Sequence, residues 1–255
     1  MSFLDAAFGW AWLVPVLMAL SFAVIGLGGR RWGARTESGG WIAVGFSFLA
    51  MVIGLFVGLA EILSPGSYTD ANLTWFTVPG SPGTFPNGVT FSVGILVDPI
   101  SALMLIVVTV VGFLVMLYSI GYMHHDRGLP RYYAELSLFL AAMTGLVLSD
   151  NLLEFFLFWE LVGVCSYFLI GFYYEKPSAA SAAKEAFLVT RIGDVLFLLG
   201  IFIYFAAYAT SGAGPGWAAA GFPFVSGSQP FLGSLVGSNT PLLTAAGLLI
   251  LGGAA

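Results

Sequence analysis

Glu160 sits inside an uninterrupted apolar run, with Phe155, Phe156, Leu157, Phe158 and Trp159 before it and Leu161 and Val162 after it. In a helix over 152–173 its carboxyl lies about 12 Å from the nearer end, too deep for the side chain to reach water unaided. A charge near the centre of a bilayer costs about 2.5–3.5 kcal/mol on insertion scales, and such groups mark ion or proton routes. Burial favours the protonated carboxyl and a neighbouring cation favours the ionised one. A partner that moves or changes charge therefore switches the group between holding and releasing a proton. Proton transfer is the chemistry open to Glu160; the competing reading is a neutral glutamate held by structural hydrogen bonds.

Arg191 and Asp194 form a second constellation. Residues three apart on a helix share a face and can pair, which lowers the cost of placing both in lipid. Asp194 lies about 13 Å from one end of its run and Glu160 about 12 Å from the opposite end of the next. Across a core of about 30 Å the two carboxyls then differ in height by about 5 Å, a gap that one side chain or a few waters can bridge. A helix-tying ion pair with no transport role is the alternative. Glu61, Asp98, Glu135 and Glu154 fall within a turn or two of helix ends, where snorkelling or interfacial water satisfies them. His124 and His125 read as solvated loop residues, since a metal site needs further ligands at fitting spacing.

The elements that must position these groups are membrane helices. Of the 255 residues, 59% are apolar and only 8% charged, with eight basic and thirteen acidic side chains and a net charge of −5. That is about a third of the usual charged fraction. No basic footprint for nucleic acid exists. A single cysteine, Cys165, excludes an intrachain disulfide and a cysteine-rich metal or iron–sulfur site. Gly26, Gly28 and Gly29 do not form a dinucleotide fingerprint, and no Gly-x-Ser-x-Gly elbow occurs. Before the first apolar run only Asp5 is charged, so that run lacks the basic flank of a cleaved signal.

Runs long enough to cross a bilayer fall near 11–29, 41–62, 94–120, 132–149, 152–173 and 185–209, giving an all-α bundle of six crossings. A seventh run, Pro241 to Ala255, reaches only about 22 Å, so the sequence reads as a piece cut inside a helix. Arg30, Arg31, Arg35, Arg127, Arg131, Lys176, Lys184 and Arg191 all fall on one side of this topology, which places the N-terminus outside. The outer segments 64–93 and 210–240 read as turns. Alternation at Val89, Phe91 and Val93 permits a short strand, and Phe222, Phe224 and Phe231 permit an interfacial stretch. Gly54 and Gly58 allow close helix approach. The short 174–184 loop makes the fifth and sixth crossings antiparallel neighbours.

The run from Asp150 to Asp194, DNLLEFFLFWELVGVCSYFLIGFYYEKPSAASAAKEAFLVTRIGD, resembles subunit L of bacterial and archaeal NADH-quinone oxidoreductase and its mitochondrial complex I counterpart, subunit 5. VDPISALMLIVVTVVGFLVMLYSIGYMHHD and the N-terminal crossings resemble the same family, so the likeness covers essentially the whole sequence. The resemblance implies an antiporter-like, proton-translocating subunit, with residues 1–130 forming N-terminal helices and 131–255 the start of the translocating unit. It implies that the essential glutamate of the WE step is Glu160, and that Arg191 and Asp194 are the polar residues of the TRxGD step. A lysine on a broken seventh helix, past Ala255, pairs with that glutamate in the family.

The resemblance further implies no cofactor in this chain, with flavin, iron–sulfur clusters and quinone held by other subunits. Its implied partners are other membrane-arm subunits, protons and water, and the lipid bilayer; no nucleic acid is expected. The implied location is a prokaryotic plasma membrane. The motif block is shared with the large subunit of multisubunit sodium/proton antiporters and with membrane subunits of energy-converting hydrogenases. MHHDRGLPRYYAELSLF and the length before WE fit subunit L better. A purely structural scaffold is the remaining alternative.

Overall fold

The computed structural model of the protein describes residues 8–32, 38–63, 68–78, 89–124, 126, 128–210 and 244–254. The elements are α1 (Leu13–Trp32), α2 (Ser38–Leu63), β1 (Tyr68–Val78), β2 (Val89–Val97), α3 (Pro99–Tyr122), α4 (Leu129–Leu148), α5 (Leu152–Ile170), α6 (Pro177–Thr210) and α7 (Thr244–Ala254). The expectations attached to Asp5, Arg35, His125, Arg127, Phe222, Phe224, Phe231 and Pro241 lie outside the described residues.

The fold is helical but not all-α. β1 and β2 pair antiparallel, from Tyr68 opposite Val97 to Val78 opposite Val89. Thr69, Thr74, Thr77, Val78, Val89 and Thr90 give this segment the β-branched content that suits a pleated strand. The hairpin also corrects the third crossing: residues 94–97 are strand, and the helix starts at Pro99. A short apolar run such as Gly94–Val97 fits strand or helix equally by periodicity. The capping chemistry decides. Asp98 takes an extended conformation, its carboxylate accepts from the Ser101 N–H at 2.7 Å, and the Ser101 hydroxyl accepts from the Asp98 N–H at 2.7 Å. Asp98→Ala is expected to cost about 0.5–2 kcal/mol, the usual value of a lost cap. Thermal unfolding of the detergent-purified full-length protein measures it.

Among the described residues, four helical stretches are long and apolar enough to cross a membrane: Gly39–Leu63, Pro99–Tyr122, Leu152–Ile170 and Pro177–Ile203. The apolar part of α1, Leu13–Gly28, is shorter. The first two turns of α4 hold Arg131, Tyr132, Tyr133 and Glu135, which lower its apolar content. The six-crossing expectation is therefore matched at four helices. α5 ends at Ile170, three residues before the expected end, with Gly171 as its C-cap. α6 begins at Pro177 rather than 185, because proline fits the first turn of a helix.

α1 packs on α4 and α2, α2 on α3, α4 on α5, and α5 on α6. The main core gathers Val14, Met18 and Ile25 of α1, Val57 of α2, Leu105 and Met116 of α3, and Tyr133 and Leu148 of α4. Within it the buried hydroxyls of Ser21 and Ser137 bond at 3.0 Å, tying α1 to α4. Gly54 and Gly58 press on Thr109 and Ile106 of α3; a Cβ at Gly54 would meet Thr109 Oγ1 at 2.7 Å. A smaller core, Leu152, Phe197 and Ile201 with Phe155, Phe156, Trp159 and Ile250, joins α5, α6 and α7. The candidate site is attached to this second core.

Candidate functional site

The antiparallel contact of α5 with α6 brings Glu160, Arg191 and Asp194 together, as their sequence positions suggest. The Arg191 guanidinium is shared between two carboxylates: Nη1 pairs with Glu160 Oε2 and lies 3.3 Å from Asp194 Oδ2. Its Nη2 also donates to the backbone oxygen of Glu160 at 3.4 Å. The i to i+3 pairing on α6 is the one the spacing requires. The gap between Glu160 and Asp194 is closed by the arginine itself.

Trp159 completes the group, and sequence reasoning passed over it. Its indole N–H donates to Asp194 Oδ1 at 2.9 Å. The indole is fixed by Phe197, edge-on at 5.7 Å, and by Phe155, stacked at 6.0 Å. The available signal was that a tryptophan beside a buried acid carries one donor and no acceptor. Phe187 lies one turn before Arg191, its ring centre 4.4 Å from the guanidinium carbon, an arrangement that attracts a cation. Gly163 leaves room for the guanidinium, since a Cβ there would sit 3.2 Å from Arg191 Nη2. α7 backs the site: a Cβ at Gly193 would meet the Gly253 carbonyl oxygen at 2.7 Å.

The two carboxylates differ in surroundings. Asp194 is buried, with 7% of its side chain exposed, and accepts from both Trp159 and Arg191. Glu160 is 25% exposed and has Arg191 as its side-chain partner. Arg191 Nε is buried without a hydrogen-bond partner, so the donor fork is incompletely used. One cation against two acids leaves one negative charge uncompensated, a state relieved by binding a single proton. The arrangement can therefore hold and release one proton through its own side chains. Among the described residues no group of three or more His, Cys, Asp or Glu is placed to bind a metal ion.

The other flagged acids have local partners. Asp98 caps α3, as described. Glu135 pairs with Arg131 at 3.0 Å, and Arg131 also donates to the Phe172 carbonyl at 2.8 Å. Arg131 and Glu135 border a cavity of about 320 Å³ that Lys184 also lines, at the end of the bundle opposite the hairpin. Glu154 accepts from the Gly94 N–H at 3.2 Å, joining α5 to β2. His124 is exposed in the turn after α3.

Residues 85–133 match the family model described as the N-terminus of NADH-ubiquinone oxidoreductase (complex I) chain 5. Residues 149–213 match the one described as NADH:quinone oxidoreductase/Mrp antiporter, TM, and this segment contains Glu160, Arg191 and Asp194. F(420)H(2) dehydrogenase subunit L of Methanosarcina mazei is 45% identical over 76% of this chain and 26% of the relative. NAD(P)H-quinone oxidoreductase subunit 5 from the chloroplast of Zygnema circumcarinatum is 41% identical over 75% of this chain and 27% of its own length. The chain thus spans about a quarter of the curated relatives it matches.

Among solved structures, the membrane-bound sulfane sulfur reductase, an archaeal respiratory membrane complex, superposes with a TM-score of 0.67 at 18% identity over 98% of this chain and 44% of that one. The Mrp complex from Dietzia gives 0.64 at 22% identity over 96% of this chain and 23% of that one. Both establish a shared fold. With two family models on consecutive segments and subunits L and 5 among its relatives, the chain belongs to the subunit L/subunit 5 family of complex I-type quinone oxidoreductases.

Proposed function

We propose that this chain is part of a proton-translocating membrane-arm subunit of a quinone oxidoreductase, with Glu160 as the group that takes up and gives back the proton. The observation that carries this reading is a single guanidinium shared by two carboxyls on facing helices. Asp194, with two donors, is the more firmly held carboxyl; Glu160, with fewer donors and more exposure, is the exchangeable one. Arg191 biases that exchange: when it leans toward Glu160 the carboxylate is favoured, and when it leans toward Asp194 the proton is held.

Redox chemistry belongs to other subunits in this proposal, and this chain supplies the response of its carboxyls to electrostatic change. The relatives are named as subunits of oxidoreductases, which supports other membrane-arm subunits as partners, alongside protons, water and lipid. α1 to α6 are assigned as six crossings of a prokaryotic plasma membrane, with the N-terminus outside. The basic residues between the odd and even crossings support that orientation. Residues 1–130 serve as flanking helices and 131–255 as the beginning of the translocating unit.

A sodium/proton antiporter is the second reading, favoured by the Mrp likeness. Sealed vesicles carrying the full-length subunit in its complex separate the two. Donor-driven quinone reduction is expected to move protons at the same rate when sodium is replaced by potassium. Sodium-dependent proton movement without quinone reduction would overturn the proposal.

A further inference from the structure

We propose that Asp150 and Glu154 form a second proton-binding site, at the hairpin end of the bundle, holding one exchangeable proton between two carboxyls. Asp150 lies in the turn between α4 and α5 and is 1% exposed; Glu154, in the first turn of α5, is 7% exposed. Asn151 Nδ2 joins them, donating to Asp150 Oδ1 at 2.6 Å and to Glu154 Oε2 at 3.3 Å. The Gly94 N–H donates to the same Glu154 oxygen at 3.2 Å. Asp150 Oδ2 is buried with no hydrogen-bond partner.

The donors are neutral amides. Among the described residues no basic side chain forms an ion pair with either acid; Arg131 and Arg191 are engaged with Glu135, Glu160 and Asp194. The surrounding elements offer none in sequence either: 13–28 of α1, all of β2 and 136–148 of α4 contain no Lys, Arg or His. The nearby charged groups are themselves acidic. Asp98, at the β2–α3 junction, is committed to Ser101, and Glu160 follows Glu154 by about 9 Å along α5. Two adjacent buried carboxylates without a cation cannot both stay ionised at modest cost. One proton removes the repulsion and gives the orphaned Asp150 oxygen a role.

The cavity beside the pair points the same way. It measures about 600 Å³ and is bounded by Trp12, Leu73, Gly94, Gly145, Phe158 and Glu154. It opens to the outside of the bundle and its lining is almost entirely apolar, so it offers the pair few polar partners. Burial pushes the Asp150 carboxyl above its ordinary range. The folded pair thus binds its proton more tightly than the unfolded chain, a stabilisation present at low pH and lost as pH rises.

This site stands independently of any transport by Glu160. Infrared spectra of the full-length subunit in its complex at neutral pH test it through the deuterium-sensitive carbonyl band of a protonated carboxyl. The contribution of the pair to that band is expected in the wild type, retained in Glu160→Gln, and lost in both Asp150→Asn and Glu154→Gln. Identical spectra of the wild type and both pair variants would overturn the site. Loss in one variant alone would assign the proton to that residue and overturn the sharing. If an amide variant does not accumulate, Glu154→Asp is expected to shift the band; an unmoved band also overturns the site.

Discussion

Glu160→Gln is expected to stop proton translocation by the assembled complex while quinone reduction continues. Glutamine keeps the length of the side chain and can accept from Arg191 through its amide oxygen, but it cannot exchange a proton. Removing a positioned acid–base group costs about 10²–10⁴-fold in proton-transfer rate, enough to bring pumping down to the leak of the vesicles. The measurement is the proton-to-electron ratio of sealed vesicles, normalised to the amount of assembled complex. An unchanged ratio would show that the carboxyl only fixes the packing of α5 on α6. Glu160→Asp is the control: it retains a titratable group one methylene short of Arg191, and part of the ratio is expected to survive.

The second large effect is expected at Arg191. Arg191→Leu leaves Glu160 and Asp194 facing each other with Trp159 as the remaining described side-chain donor. Removing one partner of a buried ion pair costs about 3–5 kcal/mol, because the other charge stays behind uncompensated. That approaches the whole stability margin of a typical domain, so the variant is expected to accumulate poorly in membranes. Combining it with Glu160→Gln and Asp194→Asn removes both stranded charges and is expected to restore accumulation without restoring pumping. A triple variant as scarce as the single one would place the loss in the packing of the arginine against Phe187 instead. Arg191→Lys is expected to fall between, since an ammonium holds its charge at one point and lacks the fork that reaches both acids.

Both effects arise at residues that the amino-acid sequence already singles out. A glutamate within FFLFWELV and an Arg-x-x-Asp step within an apolar run are costly in lipid wherever they fold, and the helical repeat alone puts Arg191 beside Asp194. Trp159 escaped notice because its role comes from the rotation of α5 against α6, which the order of residues along one helix does not encode. Asp150 escaped for a related reason. It looks like an ordinary turn residue, and only the folded packing leaves it 1% exposed.

The hairpin marks the same boundary. Alternation at Val89, Phe91 and Val93 hinted at a strand, but pairing with Tyr68–Val78 joins residues up to 29 positions apart, Tyr68 with Val97. Residues 94–97 are apolar enough to extend α3 backward, and the Asp98–Ser101 cap stops them. Composition and periodicity by themselves determined that this is a bundle of apolar helices carrying a few ionisable groups that lipid would not tolerate. Tertiary structure decided which of those groups meet: Arg191 became a bridge and Glu154 an anchor for β2, because charge pairing depends on separations of a few ångströms that only helix packing sets.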